Sequence, residues 1–71
     1  MVNKIFKIGT LLYDDDEKEW NLIVSVEKKV NGFFYTIYDS RTEKDLIMTG
    51  SGLNRMVEKE YWKVEYEPEE V

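Results

Sequence analysis

The dipeptide Asn31-Gly32, set between two alternating apolar runs, constrains this 71-residue chain more than any other feature. Asn-Gly is the favoured pair for a two-residue type I′ hairpin, because both central residues need positive φ and the turn matches the twist of the strands. Pairing Val30 with Phe33 across it places Lys28 opposite Tyr35, Val26 opposite Ile37 and Val24 opposite Asp39. The large residues Val26, Tyr35 and Ile37 then share one face, while Glu27 with Thr36 and Ser25 with Tyr38 form a half-solvated one. An antiparallel hairpin therefore anchors the reading.

The rest of the chain keeps mostly to the two-residue period of strands. Lys4–Tyr13 reads as a first strand, with Phe6, Ile8 and Leu12 on one parity and Ile5, Leu11 and Tyr13 on the other. Gly9 interrupts it and suggests a bend or bulge. Trp20–Glu27 alternates Trp20, Leu22, Val24 and Val26 against Asn21, Ser25 and Glu27, with Ile23 as an exception on the polar side. Asp45–Thr49 is a short strand carrying Leu46 and Met48, entered through a polar turn that starts at Asp39. Within Ser51–Lys59, Leu53, Met56 and Val57 recur at helical spacing, with Ser51 as the expected N-cap. Tyr61–Tyr66 is the last strand, and the proline-broken acidic tail 67–71 is expected to fray. The predicted fold is all-β: one domain over 1–71, a small five-stranded antiparallel barrel with one short helical turn before the last strand.

Composition limits how such a domain is held together. A chain this short buries only about 60% of the surface its unfolded state exposes. With no cysteine and no histidine, disulfides are absent and a structural zinc site is effectively excluded. Stability must come from large apolar side chains, and two Trp, five Tyr and three Phe supply them. By parity, Trp20, Tyr35, Trp62 and Tyr66 are expected in the core, and Phe34, Tyr38 and Tyr61 on the surface. The start of the chain lacks the apolar run of a secretory signal, and no stretch reaches the length of a membrane span. A soluble cytoplasmic protein that binds no membrane is expected. The net charge of −5 argues against direct nucleic-acid binding and favours a partner with a basic surface.

The succession of strand, acidic loop, strand, tight hairpin, strand, turn, strand, helical turn and strand resembles the Src-homology-3-like small barrels, which include KOW and Tudor modules. The strings Ile8-Gly9-Thr10-Leu11-Leu12-Tyr13-Asp14, Trp20-Asn21-Leu22-Ile23-Val24 and Tyr35-Thr36-Ile37-Tyr38-Asp39 are similar to small uncharacterised barrels encoded by tailed phages. That resemblance implies an accessory protein working in a host cytoplasm. The residues with which such barrels hold proline-rich ligands do not align here, so no peptide-binding activity carries over.

Candidate chemistry is sparse. Asp14-Asp15-Asp16-Glu17-Lys18-Glu19 is dense in oxygen ligands, but it lacks the central Gly and closing Glu of a calcium loop. A solvated loop that protects a sheet edge explains it as well, and no metal is assigned. Fifteen acids could imitate a nucleic-acid backbone, yet ten bases are interspersed among them. That mixture is the ordinary surface of a small domain. No serine has a histidine partner and there is no thiol, so no catalytic residue and no cofactor is assigned. The reading that results is a non-enzymatic protein-interaction module. Its expected partner-binding residues are Phe34, Tyr38, Tyr61, Asp14, Asp15 and Asp16, since clustered surface aromatics near acids hold peptides or cations. A structural, self-associating role and an acidic nucleic-acid mimic are the alternatives.

Overall fold

The computed structural model describes residues 4–69. Its elements are β1 (Leu11–Asp14), β2 (Glu19–Lys29), β3 (Gly32–Asp39), β4 (Lys44–Thr49), α1 (Gly50–Glu58) and β5 (Trp62–Tyr66). The strands form one antiparallel sheet in the order β4-β3-β2-β1-β5. This sheet is open: β4 and β5 are its two edges and are not paired with each other. The helix packs against β3, β4 and β5 and so covers the concave side.

The hairpin forms where the turn chemistry places it, but in a different register. Lys29 pairs with Gly32, Lys28 with Phe33, Glu27 with Phe34 and Val26 with Tyr35. The two-residue loop is thus Val30-Asn31. Gly32, at φ +123°, follows that loop, whereas Asn31 is not among the positive-φ residues. A glycine just past the loop supplies the backbone freedom that a type I′ turn would have needed at both central positions. The slip changes the partners nearest the turn by two residues, an even number, so Tyr35 still faces inward, and beyond the β2 bulge Ile37 faces inward opposite Ile23.

Two further expectations for the strands are corrected. The first strand begins at Leu11, not Lys4, because Ile8 and Gly9 form a turn closed by the Thr10 N–H donating to the Lys7 carbonyl at 3.1 Å. Gly9 has φ +95°, a conformation that favours glycine, and a Cβ there would press on Pro68 Cγ at 3.0 Å. In β2 the register with β3 shifts between Ile23 and Ser25. An extra residue in one strand reverses which parity faces inward. After the shift Val26 packs toward the core as expected. Before it Asn21 and Ile23 are fully buried and Trp20 is 42% exposed.

The core comprises Phe6, Leu12, Ile23, Tyr35, Ile37, Leu53 and Trp62. Phe6 meets Tyr35 edge to face at 6.1 Å, and the Phe6 N–H donates to the Tyr35 hydroxyl at 3.0 Å. Helix α1 is capped by Thr49, not Ser51: the Thr49 hydroxyl accepts from the Gly52 N–H at 3.2 Å. Its C-terminus closes with Glu60 at φ +62°, while the Glu60 and Tyr61 N–H groups donate to Val57 and Met56 carbonyls. That is the Schellman pattern, here with a non-glycine at the left-handed position. Asn54 on α1 ties down the entering chain, accepting from the Lys4 N–H at 2.7 Å and donating to its carbonyl at 2.9 Å. Of the tail expected to fray, Glu67 pairs with Lys4 at 2.9 Å and the Pro68 carbonyl accepts from Lys7. Glu70 and Val71 lie outside the described residues. No helix among the described residues is long and apolar enough to cross a membrane.

Candidate functional site: the outer face of the sheet

The pairing registers assign every strand residue to the concave or the outer face, because directly opposed residues share a side. One row across the outer face reads Asp45, Tyr38, Leu22, Leu11 and Tyr66, crossing all five strands from β4 to β5. The adjoining row holds Trp20, Tyr13 and Lys63. Tyr13 and Trp20 lie side by side with ring centroids 4.6 Å apart. Ile47 and the bulge residue Val24 extend the apolar area, and Ile47 is 72% exposed. Tyr66, expected in the core, is 60% exposed at the β5 edge, because the register shift between Leu11 and Leu12 turns it outward. Trp62 holds the interior at that end instead, its indole N–H donating to the Asp14 carboxylate at 3.1 Å.

Behind this apolar area the concave side mixes polar groups with the core residues Leu12, Ile23 and Trp62. Asp14, Glu19, Asn21 and Asp39 face inward at the same end of the sheet. Asp14 is buried and accepts from the Asp16 and Glu17 N–H groups at 3.0 and 3.1 Å, which shapes the β1–β2 loop as an Asx turn. Asn21 and Thr10 are fully buried, and neither the Asn21 amide nor the Thr10 hydroxyl has a protein partner. Glu19 and Asp39 act on each other's titration across this interior. Burial, followed by the hydrogen bond and charge of Asp39, holds the Glu19 carboxyl above its ordinary value of 4.5. Burial also pushes Asp39 upward. The Arg41 and Thr42 N–H groups, Glu19 and the Arg41 guanidinium outweigh it and leave Asp39 below 3.8. Arg41 reaches over from the β3–β4 turn, pairing with Glu17 and standing 4.0 Å from Glu19.

The residues singled out from sequence are distributed over several places. Tyr38 lies in the central outer row. Phe34 shares its strand and face, about 13 Å further along at the usual strand rise, and lies under the Lys29 ammonium at 5.1 Å. Tyr61 is elsewhere: with Asp15, Asp16, Glu60 and Lys63 it lines a shallow hollow of about 230 Å³. Asp14 is turned inward and engaged by the fold. A larger groove of about 370 Å³ separates Lys4 and Ile5 from the hairpin and the start of α1, and includes Phe34. No group of three or more Asp or Glu among the described residues is arranged to hold a metal ion.

Sequence reasoning missed Trp20, Tyr66, Leu11, Tyr13, Leu22, Val24 and Ile47 as surface residues. A signal existed in apolar residues on both parities of 11–13 and in the unbroken Leu22-Ile23-Val24. Strands apolar on both sides belong to a sheet with two apolar faces. Comparison with family models, curated proteins and solved structures finds no match to this chain.

Proposed function

We propose that this chain is a non-enzymatic protein-interaction module, with the outer face of its curled, Src-homology-3-like sheet as the recognition surface. The observation that carries the reading is the row Tyr38, Leu22, Leu11 and Tyr66 across four strands, ended by Asp45 on the fifth and bordered by Trp20 and Tyr13. Contiguous exposed apolar area of this kind marks interaction sites, and interface anchors are enriched in Trp and Tyr. Aromatic rings that are rigid and only partly immersed can be buried on binding at small entropic cost. The mixed charges around the row, Asp45 at one end and Lys63 at the other, would orient a partner more than hold it. The resemblance to small phage barrels makes a host protein the foreign partner to look for.

A photo-crosslinking amino acid placed at Trp20 or Tyr66, with Glu58 on the exposed helix face as control, tests the reading in the native cell. Discrete protein adducts from the two outer-face positions and none from Glu58 are expected. Absence of adducts at both outer-face positions would overturn the proposal.

A further inference from the structure

We propose that the free edge of β4 is a docking strand, which takes an extended segment of a partner protein as a sixth strand of the sheet. This backbone edge is a different surface from the outer-face row, and it has its own test.

The backbone carries the recognition. In an antiparallel strand, successive residues turn their N–H and C=O groups to opposite sides. β4 ends the order β4-β3-β2-β1-β5 and so has a hydrogen-bonded neighbour on one side only. Among the described residues it packs against no strand or helix other than β3 and α1. Among the same residues, the backbone of 45–48 makes no hydrogen bond beyond the ladder with β3. A row of open donors and acceptors at strand spacing is a template that another extended backbone completes.

The two edges of the sheet are not equivalent. β5 carries Lys63 and Glu65 within its five residues, its pairing with β1 shifts between Leu11 and Leu12, and Pro68 follows its end. Short length, charges, a register irregularity and proline are the means by which sheets keep an edge from pairing. β4 has none of them along its middle. Its six residues pair with β3 in unbroken register, from Phe34 with Thr49 to Asp39 with Lys44. Leu46, Ile47 and Met48 follow one another without glycine or proline, and the charges of Lys44 and Asp45 stand only at its entrance. One edge is guarded and the other is left open.

Side chains set the class of segment that fits. Leu46 and Met48 face the concave side and are only half-buried, while Asp45 and Ile47 face outward and are exposed. Opposed residues share a face, so the added strand would set apolar residues beside Leu46 and Met48 and a lysine or arginine beside Asp45. The net charge of −5 selects further for a basic segment. A second copy fits this edge poorly. The sheet curls around α1, which packs against β4, so two copies joined edge to edge would continue one curl and bring their helices together. A single strand adds no such bulk on the concave side.

Selection of displayed random peptides of about ten residues, longer than the strand they would form, against the purified chain supplies the probe. Selected peptides should alternate apolar with polar residues and carry Lys or Arg. Saturating the isotope-labelled chain with one of them should slow hydrogen exchange of the edge-facing amides within 45–49 at least ~tenfold and leave 62–66 unchanged. N-methylating alternate peptide nitrogens should abolish binding in one phase and preserve it in the other, because only one side of the added strand faces β4. Asp45→Asn should weaken a basic peptide about threefold, the worth of one exposed ion pair. No selected peptide, protection centred on β5 or on Leu11 and Leu22, or equal binding of both methylated phases overturns the proposal. Protection of 45–49 that grows with the concentration of the chain alone makes a second copy the occupant and overturns the foreign segment. If outer-face crosslinks persist without pairing at β4, the edge falls and the outer face stands.

Discussion

The two ends of the sheet are built differently. Toward the β2–β3 hairpin the interior is apolar: Tyr35, Ile37 and Met48 face inward, and Thr36, Ser25, Glu27 and Thr49 face out beside Phe34 and Ile47. Toward the β1–β2 loop polar groups join Leu12 and Trp62 in the interior and apolar ones move to the surface. Asp14, Glu19, Asn21 and Asp39 face inward there, and Tyr13, Trp20, Leu22 and Tyr38 face out. The bulge between Ile23 and Ser25 lies at the boundary. A domain that places an unpartnered amide inside and an indole outside gives up stability, since each buried polar group without a partner costs about 1–3 kcal/mol. The hairpin end holds the fold together. The loop end presents a surface.

That contrast is most directly broken by truncating one apolar residue from each end. Ile37→Ala should lower unfolding free energy by about 2–5 kcal/mol, as buried aliphatic truncations do. Trp20→Ala removes a larger side chain yet should cost only about 1 kcal/mol, chiefly its contact with Tyr13. Urea denaturation measures both, and equal losses would remove the distinction between the two ends.

The next test replaces a polar group in the interior of the loop end. Asn21→Leu keeps a similar volume and removes an amide with no protein partner. It should raise stability by about 1 kcal/mol. A loss of similar size would mean that the amide is bonded and that this interior is built for polarity.

The smallest effect concerns Glu19 and Asp39. The folded-state pKa of Glu19 lies above its ordinary 4.5, so its contribution to stability is fully present below that value. It is lost as pH rises from 4.5 through the folded pKa, and the loss is constant beyond. Asp39 acts the other way: its contribution is present above 3.8 and lost as pH falls through its lower folded value. The stability gained by Glu19→Gln over the parent chain should therefore grow with pH above 4.5 and then level off. Paired denaturation curves across that range measure it, and a gain that shrinks with pH would contradict the raised pKa of Glu19.

Much of the hairpin end was legible in the residues alone. Asn31-Gly32 identifies a hairpin through local backbone preferences, and alternation puts Tyr35 and Ile37 on its inner face. The spacing of Leu53, Met56 and Val57 marks a helix, expected as one short turn and found as the nine residues Gly50–Glu58. The candidate site was much less legible. Tyr38 alone of the residues first chosen lies in the outer row, because alternation tells which residues share a face but not which face is inside. Where both parities are apolar, as in 11–13 and 22–24, the pattern has no preferred side.

Turn chemistry and periodicity act between near neighbours, so the sequence by itself determined the elements, their order and the central hairpin. The register after Asn31, the bulge in β2 and the exposure of Trp20 and Tyr66 depend on contacts between strands far apart in the chain. Trp62 holds the interior beside Asp14, and the shift at Ile23 turns Trp20 outward. Only the tertiary structure could decide which of two apolar faces is covered within the chain, and which is left in water.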